Sequence, residues 1–368
     1  QHSEIATVEE AKEHKNIAIV AVSSGEGISE TFKELGVDEI VSGGQTMNPS
    51  SEDFIKAFDK LNADNIIVFP NNKNIIIKGR KKMKIALAGN PNSGKTTLFN
   101  DLTGSAQYVG NWPGVTVEKK DGKLKGHNDV TIQDLPGIYS LSPYTLEEVV
   151  SRRYLVNDQP DAIINIIDGT NIERNLYLTT QLLELGLPMV VAVNMLDLIE
   201  KNGDQIDLKG LEKRLGCKVV AISALKGRGS HDLAALAISE AKKKHVPVRP
   251  DVFEDDTLNV IKEIEKALSG QIDERMVKWF AVKVFEHDEK VIEENSLQSI
   301  YAQFKDSIQN VEKAEDDDAE SIITAQRYSF IAQVVDENYH SARAHGTLTL
   351  SDKIDKIVTN RILALPIF

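Results

Sequence analysis

The chain has 368 residues, of which 43 are Lys or Arg and 56 are Asp or Glu, so its formal net charge is −13. This acidic balance argues against a protein that coats nucleic acid, because such binding neutralises phosphates with many basic side chains. The single cysteine, Cys217, excludes an intramolecular disulfide and a Cys-rich metal site, and we expect it to be a small packed residue. No apolar run reaches the roughly 18–20 residues that cross a bilayer, and the length suggests two or three domains of about 100–200 residues.

The two ends of the sequence are unusual. Gln1 is not an initiator Met and no signal-peptide apolar region follows it, while an apolar stretch begins near Arg361 and stops at Phe368. We therefore expect both ends to be cut points in a longer chain.

A small α/β domain is predicted over residues 1–79, followed by a basic junction at 80–83. Its first apolar run is continuous, which is typical of a strand buried on both faces. The predicted elements are strands at 17–22, 38–41, 65–69 and 74–77, a helix at 28–35, and a helix from an N-cap at Ser51 to about Leu61. The junction is interpreted either as a solvated linker or as an original start at Met83 behind a fused segment.

Residues 84–248 alternate short apolar runs with helical stretches, which predicts a mostly parallel sheet with helices on both faces. The strand-like runs are 85–88, 130–132, 162–167, 189–193 and 219–222. Residues 251–345 instead repeat apolar side chains at helical spacing. They predict an α-helical bundle, with the acidic segment 315–320 as a loop or helix start.

A phosphate-binding loop is predicted where the chain fits the pattern GxxxxGK(S/T) between a strand-like run and a helix-like run. Its glycines let backbone N–H groups curl round a phosphate, and the helix N-terminus adds partial positive charge. Lys95 is expected to reach the β- and γ-phosphates, and the Thr96 hydroxyl to ligate Mg²⁺. The predicted nucleotide contacts here are Gly89, Asn90, Pro91, Asn92, Ser93, Gly94, Lys95, Thr96 and Thr97.

A DxxG motif runs from Asp134 to Gly137, 38 residues after Thr96 and directly after a predicted strand. We expect Asp134 to hold Mg²⁺, through water by analogy with other GTPases. The backbone N–H of Gly137 is expected to be offered to the γ-phosphate.

Two further loops predict the recognition of guanine. Asp197 can accept hydrogen bonds from both N1–H and N2–H₂ of guanine, a donor pair that adenine lacks, and Asn194 is expected to hold this loop and contact the base. Ser223, Ala224 and Leu225 form the second side of the base pocket, with the Ala224 N–H available to guanine O6. Four motifs in this order, each at a strand end, predict a P-loop GTPase G domain.

Residues 109–118, between the phosphate loop and Asp134, are predicted to form a switch loop. Thr116 lies 20 residues after Thr96 and is the candidate to complete Mg²⁺ coordination when GTP is bound. Two glycines and a proline let this segment change conformation when the γ-phosphate is lost. The alternative is an ordinary surface turn with a partly exposed Trp112.

The motifs GNPNSGKTTLFN, VGNWPGVTVE, DLPGIYSLSPY, ERNLYLTTQLLE and NMLD resemble the cytosolic part of FeoB-type ferrous iron transporters, over residues 83–368. The resemblance implies a G domain, a helical domain linked to nucleotide affinity, and then a membrane region that residues 346–368 approach. It implies a GTP-hydrolysing module that regulates Fe²⁺ uptake at the cytoplasmic face of the bacterial inner membrane, this fragment itself being soluble.

GTP hydrolysis needs another group to stabilise the attacking water or the developing charge, because Ile138 stands where many GTPases place a water-orienting Gln. The resemblance suggests K⁺, held by Asn92 and by switch-loop carbonyls near Gly110 and Trp112. The expected catalytic set is Lys95, Thr116, Asn92 and Gly137. The expected cofactors are Mg²⁺ and K⁺. The expected partners are GTP or GDP and the chain's own transmembrane iron-permeation domain, with a homo-oligomer left open and no nucleic acid.

Residues 1–79 resemble instead the C-terminal region of FakA-type, dihydroxyacetone-kinase-like proteins, through SSGEGI, GGQTMNPS and PNNKNII. The kinase domain of that family is missing, so no kinase activity is expected. A genuine fusion and an artificial joining of two coding fragments both remain open. The alternative functions are a soluble GTPase switch in ribosome or RNA assembly and, on residues 1–79 alone, a fatty-acid kinase accessory protein.

Overall fold

The computed structural model of the chain describes residues 15–43, 49–70, 83–104, 107–142 and 145–342. They divide into two units, with the boundary between Lys81 and Lys82. Among these residues no helix is both long enough and apolar enough to pass through a bilayer.

The first unit is a three-stranded parallel sheet in the order β2-β1-β3, packed with two helices. Its elements are β1 (Lys15–Ser23), α1 (Glu26–Glu34), β2 (Glu39–Ser42), α2 (Ser51–Asp59) and β3 (Ala63–Phe69). Its small core gathers Val20, Val22, Val41, Phe54 and Ala57. The predicted small α/β domain therefore forms, and the strand predicted at 74–77 lies outside the described residues.

The N-cap of α2 is Ser50, one residue before the predicted Ser51. The Ser50 hydroxyl accepts a hydrogen bond from the Asp53 N–H, and the Asp53 carboxylate accepts one from the Ser50 N–H. This reciprocal capping box needs an acidic residue three positions after the cap, and that spacing selects Ser50.

The second unit is built on a seven-stranded sheet in the order β11-β9-β8-β4-β7-β6-β5. The five strands from β11 to β7 are parallel, and β6 and β5 continue the sheet antiparallel. The strands are β4 (Met83–Gly89), β5 (Gln107–Asn111), β6 (Glu118–Leu124), β7 (His127–Asp134), β8 (Ala162–Asp168), β9 (Met189–Asn194), β10 (Gln205–Ile206) and β11 (Lys218–Ala221). The helices are α3 (Lys95–Thr103), α4 (Leu146–Arg153), α5 (Ile172–Glu184), α6 (Leu196–Asn202), α7 (Leu208–Leu215) and α8 (Ser230–Lys243). The predicted mostly parallel sheet is confirmed.

Strands β5 and β6 were not predicted, and β5 occupies the start of the predicted switch loop. β6 has the sequence EKKDGKL, which lacks the apolar run of a central strand. A strand in the antiparallel edge region of a sheet can face solvent on one side, so its sequence carries a weaker signal.

The helical bundle follows as predicted, with Ile261, Ile264 and Leu268 fully buried at the expected helical spacing. Its helices are α9 (Asp255–Leu268), α10 (Val277–Phe285), α11 (Glu289–Glu294), α12 (Gln298–Glu315) and α13 (Ala319–Asn338). The acidic segment joins α12 to α13, and the Asp318 carboxylate caps α13 by accepting from the Ser321 N–H at 2.9 Å.

A short strand that the sequence did not predict ties the end of the bundle to the G domain. β12 (Tyr339–His340) pairs antiparallel with β10. A buried ion pair adds a second link, since the Arg327 guanidinium on α13 donates to both carboxylate oxygens of Glu184 on α5, at 2.7 and 3.1 Å. The helical bundle is thus fixed to the helix that directly follows β8.

Candidate nucleotide-binding site

The predicted phosphate loop connects β4 to α3 and can close only with glycine at two positions. A Cβ at Gly89 would lie 2.4 Å from the carbonyl oxygen of Ile166. A Cβ at Gly94, where φ is +90°, would lie 2.2 Å from Nδ2 of Asn194. The two glycines therefore let the loop pack against β8 and against the loop that follows β9.

Several polar atoms of the loop are buried without a protein partner. Asn90 Oδ1 and Ser93 Oγ form no hydrogen bond among the described residues, although both side chains are buried. A buried unsatisfied polar atom costs about 1–3 kcal/mol. Asn92 holds a positive φ of 66° and exposes its side chain. The loop thus carries the unsatisfied groups and the left-handed turn expected where a phosphate is bound.

Lys95, the first residue of α3, forms an ion pair with Asp134, the last residue of β7. Both side chains are largely buried, and burial raises the pKa of the Asp134 carboxyl while Lys95 opposes the rise. Gly137 passes close to the phosphate loop, since a Cβ there would lie 3.2 Å from Pro91 Cα. A buried cation and a hard oxygen donor thus lie together, as nucleotide phosphates and Mg²⁺ require.

The three threonines of the predicted site are exposed. Thr96 and Thr97 lie in the first turn of α3, at its positive end. Thr116 lies between β5 and β6 and, among the described residues, forms no hydrogen bond with the phosphate loop. Their hydroxyls are free to meet a ligand from two sides.

The predicted switch loop is anchored through Trp112. This side chain is only 8% exposed and packs edge-on against Tyr154, with ring centroids 5.4 Å apart. The Trp112 N–H donates to the Val117 carbonyl at 2.9 Å, which closes the loop that presents Thr116. Trp112 is therefore buried rather than partly exposed, while the turn that follows it, at residues 113–116, is largely exposed.

Asp197, the carboxylate predicted to recognise guanine, is held in place by its neighbours. The Ser223 hydroxyl donates to Asp197 at 2.9 Å, and Lys226 Nζ lies 3.4 Å from the same carboxylate. The Ser223 hydrogen bond, assisted by Lys226, holds the pKa of Asp197 below its usual value. Asp197 is thus an ionised double acceptor at neutral pH.

Asn194 links the phosphate loop to residues 223–225, which are predicted to border the base and which we call the base loop. Its amide nitrogen donates to the Ser93 carbonyl at 2.8 Å, and its amide oxygen accepts from the Ala224 N–H at 2.9 Å. Asn194 thus holds the loop as expected, whereas the Ala224 N–H, expected to be available to guanine O6, is bonded within the protein. Leu225 lies in the base loop and is 83% exposed.

Two positioning groups escaped the sequence reasoning. Asn165 is buried in the centre of β8, where it accepts from the Thr179 hydroxyl at 2.7 Å and lies beneath the phosphate loop strand, 3.4 Å from the Ala88 carbonyl. Its signal was a lone polar residue within an apolar run. Glu148 is buried and forms a capping box with Thr145 at the start of α4.

Comparison with known proteins places these regions in known families. The family described as ferrous iron transport protein B matches residues 83–237, and the FeoB cytosolic helical domain matches residues 253–340. The C-terminal family of FakA-like fatty acid kinase proteins matches residues 18–86. Both predicted resemblances are confirmed.

Curated relatives extend over most of the chain. An Fe(2+) transport protein A/Fe(2+) transporter FeoB fusion protein of Porphyromonas gingivalis is 36% identical over 90% of this chain and 42% of its own length. The Fe(2+) transporter FeoB of Escherichia coli is 41% identical over 78% of this chain and 37% of its own length. The chain thus spans about two fifths of the length of these relatives.

Solved structures match the second unit at high identity. A GDP-bound mutant of the S. thermophilus FeoB G-domain is 43% identical, with a TM-score of 0.68 over 70% of this chain and 99% of that one. A structure of S. thermophilus NFeoB bound to GDP·AlF₄⁻ and K⁺ is 45% identical, with a TM-score of 0.63 over 68% of this chain and 98% of that one.

Proposed function

The chain belongs to the FeoB family of ferrous iron transport proteins, and from this premise we propose that its second unit binds and hydrolyses GTP as the cytosolic module of an Fe²⁺ transporter. The observation that carries the proposal is Asn194, which joins the phosphate loop at Ser93 to the base loop at Ala224. Asp197, whose carboxylate would accept hydrogen bonds from guanine, lies three residues further along the chain.

Base selection follows from the ionised Asp197 carboxylate. It accepts from N1–H and N2–H₂ of guanine, whereas adenine presents an acceptor at N1 and no amino group at C2. Ser223 orients this carboxylate and Lys226 favours its ionised form. A site built to pair with donors discriminates strongly against a base that lacks them, because its own polar groups would stay unpaired.

The phosphate end supplies charge and oxygen ligands. Lys95 would leave Asp134 for the β- and γ-phosphates, which are the stronger anions. Thr96, Thr116 and Asp134 present the hard oxygen donors that suit Mg²⁺, which supplies charge neutralisation at the phosphates when bound. The Gly137 N–H would be offered to the γ-phosphate.

Asn92 is the proposed K⁺ ligand, since its exposed side chain projects from a left-handed turn of the phosphate loop. Ile138 cannot orient the attacking water, so the developing charge needs another cation. The S. thermophilus structure with GDP·AlF₄⁻ and K⁺ supports this assignment.

The test is phosphate release from GTP and from ATP at equal ionic strength in KCl and in NaCl. We expect GTP to be hydrolysed faster in KCl, and Asn92→Ala to remove the salt difference. Asn310→Ala, an exposed asparagine on α12, is the matched control and should keep it. Equal rates in both salts would refute the K⁺ assignment, and equal turnover of ATP and GTP would refute the proposed substrate.

The link to iron rests on the relatives, of which this chain spans about two fifths. The proposed partner is the transmembrane iron-permeation domain of the same protein, with the second unit at the cytoplasmic face of the membrane. Sequencing the gene beyond codon 368 tests this, since several apolar segments of about 20 residues are expected. A stop codon or a basic domain would favour the alternative of a GTPase in ribosome or RNA assembly.

A further inference from the structure

A cluster of basic side chains lies along α7, at the start of the edge strand β11 and at the C-terminal end of α8. We call it the lysine face, and it consists of Lys209, Lys213, Lys218, Lys242, Lys243, Lys244 and His245. One shallow depression of about 780 Å³ is lined by residues of α7, of β11 and of the segment that follows α8, among them Lys209, Lys213, Lys218, His245 and Val248. Lys209, Lys213, Lys218 and His245 therefore share one surface, and three further lysines, 242–244, directly precede His245 in the chain.

Most of the positive charge on the lysine face is unpaired. Glu212 pairs with Lys218, and the buried Glu240 pairs with Lys243 and His245. The remaining four lysines are exposed and form no ion pair among the described residues: Lys209, Lys213, Lys242 and Lys244. In a chain of net charge −13, such a concentration of uncompensated lysine creates a local positive field.

Two exposed aliphatic side chains adjoin these lysines. Val246 is 38% exposed and Val248 is 74% exposed. The Val248 N–H donates to the Gly216 carbonyl at 3.0 Å, which fixes this valine at the rim of the depression. Lysines beside exposed aliphatic groups suit a surface with anionic headgroups above an apolar layer. His245 is the only ring among the residues that line the depression, so the stacking platform typical of single-stranded nucleic acid is missing there.

The described part of the second unit ends close to the start of α7. The N–H of Ala342, the last described residue, donates to Asp204 at 3.0 Å. Just before it, β12 pairs with β10, and β10 leads directly into α7. α7 is about 12 Å long at 1.5 Å per residue. The last described residue, Ala342, therefore lies within about the length of this helix from the depression.

We propose that the lysine face docks on the anionic headgroups of a lipid bilayer. The proposal rests on the proposed function, in which the second unit works beside the membrane domain of the same protein. The unpaired lysines supply the electrostatic attraction, and Val246 and Val248 enter the headgroup boundary. Docking would hold one face of the G domain against the membrane.

The test is co-sedimentation of the 368-residue chain with vesicles of phosphatidylcholine alone and of phosphatidylcholine with phosphatidylglycerol at 3:1. We expect clear binding only to the anionic vesicles, with loss at high salt because the attraction is screened. Each lysine near an anionic surface contributes roughly fivefold in partition, so the triple variant Lys213→Glu, Lys242→Glu, Lys244→Glu should bind at least about 100-fold more weakly.

The matched control carries the same change at three exposed lysines of the helical bundle: Lys262→Glu, Lys305→Glu and Lys313→Glu. Its vesicle binding should stay within about threefold of the unchanged chain, since these side chains lie outside the lysine face. A second variant, Val248→Asp, removes the apolar contact at an exposed position and should also weaken binding. Circular dichroism melting checks that each variant is folded.

Equal binding of the triple variant and its control would overturn the proposal, as would equal binding to neutral and anionic vesicles. Tighter binding to duplex DNA than to anionic vesicles at the same salt would assign the face to nucleic acid instead. GTP hydrolysis without vesicles is measured in parallel and should be unchanged in the triple variant. If the unchanged chain hydrolyses GTP but does not bind anionic vesicles, the docking proposal alone is rejected. If the unchanged chain binds anionic vesicles but does not hydrolyse GTP, the proposed function alone is rejected.

Discussion

The buried ion pair between Arg327 and Glu184 offers the sharpest test of how the helical bundle is held to the G domain. Arg327 is fully buried and donates to both Glu184 oxygens, while Glu286 lies 3.5 Å from the same guanidinium. Replacing Arg327→Met keeps much of the side-chain volume but removes the positive charge. The Glu184 carboxylate is then left buried without its partner.

Breaking a buried pair in this way costs about 3–5 kcal/mol of unfolding free energy, because the remaining charge keeps its desolvation penalty. For a unit of this size each kcal/mol shifts the melting temperature by about 2–4 °C. We therefore expect Arg327→Met to melt at least about 6 °C below the unchanged chain. The double variant Arg327→Met, Glu184→Met removes both charges and should recover most of that loss.

The assay is urea unfolding followed by tryptophan fluorescence. The chain contains two tryptophans, Trp112 and Trp279, and both lie in the second unit, so the signal reports on that unit alone. Arg228→Met is the matched control, since it removes an exposed ion pair with Glu200, and it should cost less than about 1 kcal/mol.

The pH dependence adds an independent signature. Burial raises the pKa of Glu184, and Arg327 opposes this rise. Without Arg327, the pKa of Glu184 in the folded state lies further above its value in the unfolded state. Protonation of Glu184 therefore stabilises the folded variant. The stability lost by Arg327→Met should thus be small at acidic pH and grow as the pH rises through the folded-state pKa. A loss below about 1 kcal/mol at neutral pH, or a double variant as unstable as the sum of the singles, would refute the reasoning.

Three further outcomes are expected. Gly94→Ala should weaken binding of a fluorescent guanine nucleotide at least about tenfold through its clash with Asn194, whereas Gly126→Ala, a positive-φ glycine with open space around it, should change it less than about twofold; equal effects would contradict the close-packing argument. Burial raises the pKa of Cys217 to about 12, so its alkylation at pH 8 should be at least about 100-fold slower in the folded chain than in urea, and comparable rates would show that the thiol is accessible. A non-hydrolysable GTP analogue should change the fluorescence of Trp112, because the switch loop moves relative to Tyr154. The Trp112→Phe variant gives the signal of the remaining tryptophan. If the analogue changes the fluorescence no more in the unchanged chain than in this variant, the loop stays anchored.

The parts of the fold that could be predicted are those with a local signature. β8 and β9 are buried on both faces, so their sequences are apolar except for Asn165 and the last residue of each strand, and they stand out. The phosphate loop is equally local, because glycine is required at Gly89 and Gly94 by backbone contacts and by φ. The apolar spacing of α9 likewise reports its buried face.

The parts that escaped prediction depend on partners far apart in the chain. Asn194 bonds to Ser93 across 101 positions, and Arg327 pairs with Glu184 across 143. The sequence shows Asn194 to be a polar residue that follows an apolar strand, but it does not show that its side chain donates to the Ser93 carbonyl. The charged strand β6 shows the same limit, since its pairing with β7 is not visible in its own composition.

The central claim is that Asp197 makes this site a guanine-nucleotide hydrolase. The most direct measurement is phosphate release from GTP, ATP and xanthosine triphosphate by the unchanged chain and by Asp197→Asn. Xanthine carries a carbonyl oxygen where guanine has its amino group, so an amide donor should pair with it. We predict that the unchanged chain prefers GTP at least about 100-fold over both other nucleotides, and that Asp197→Asn prefers xanthosine triphosphate. Unchanged preference for GTP in Asp197→Asn would contradict the account.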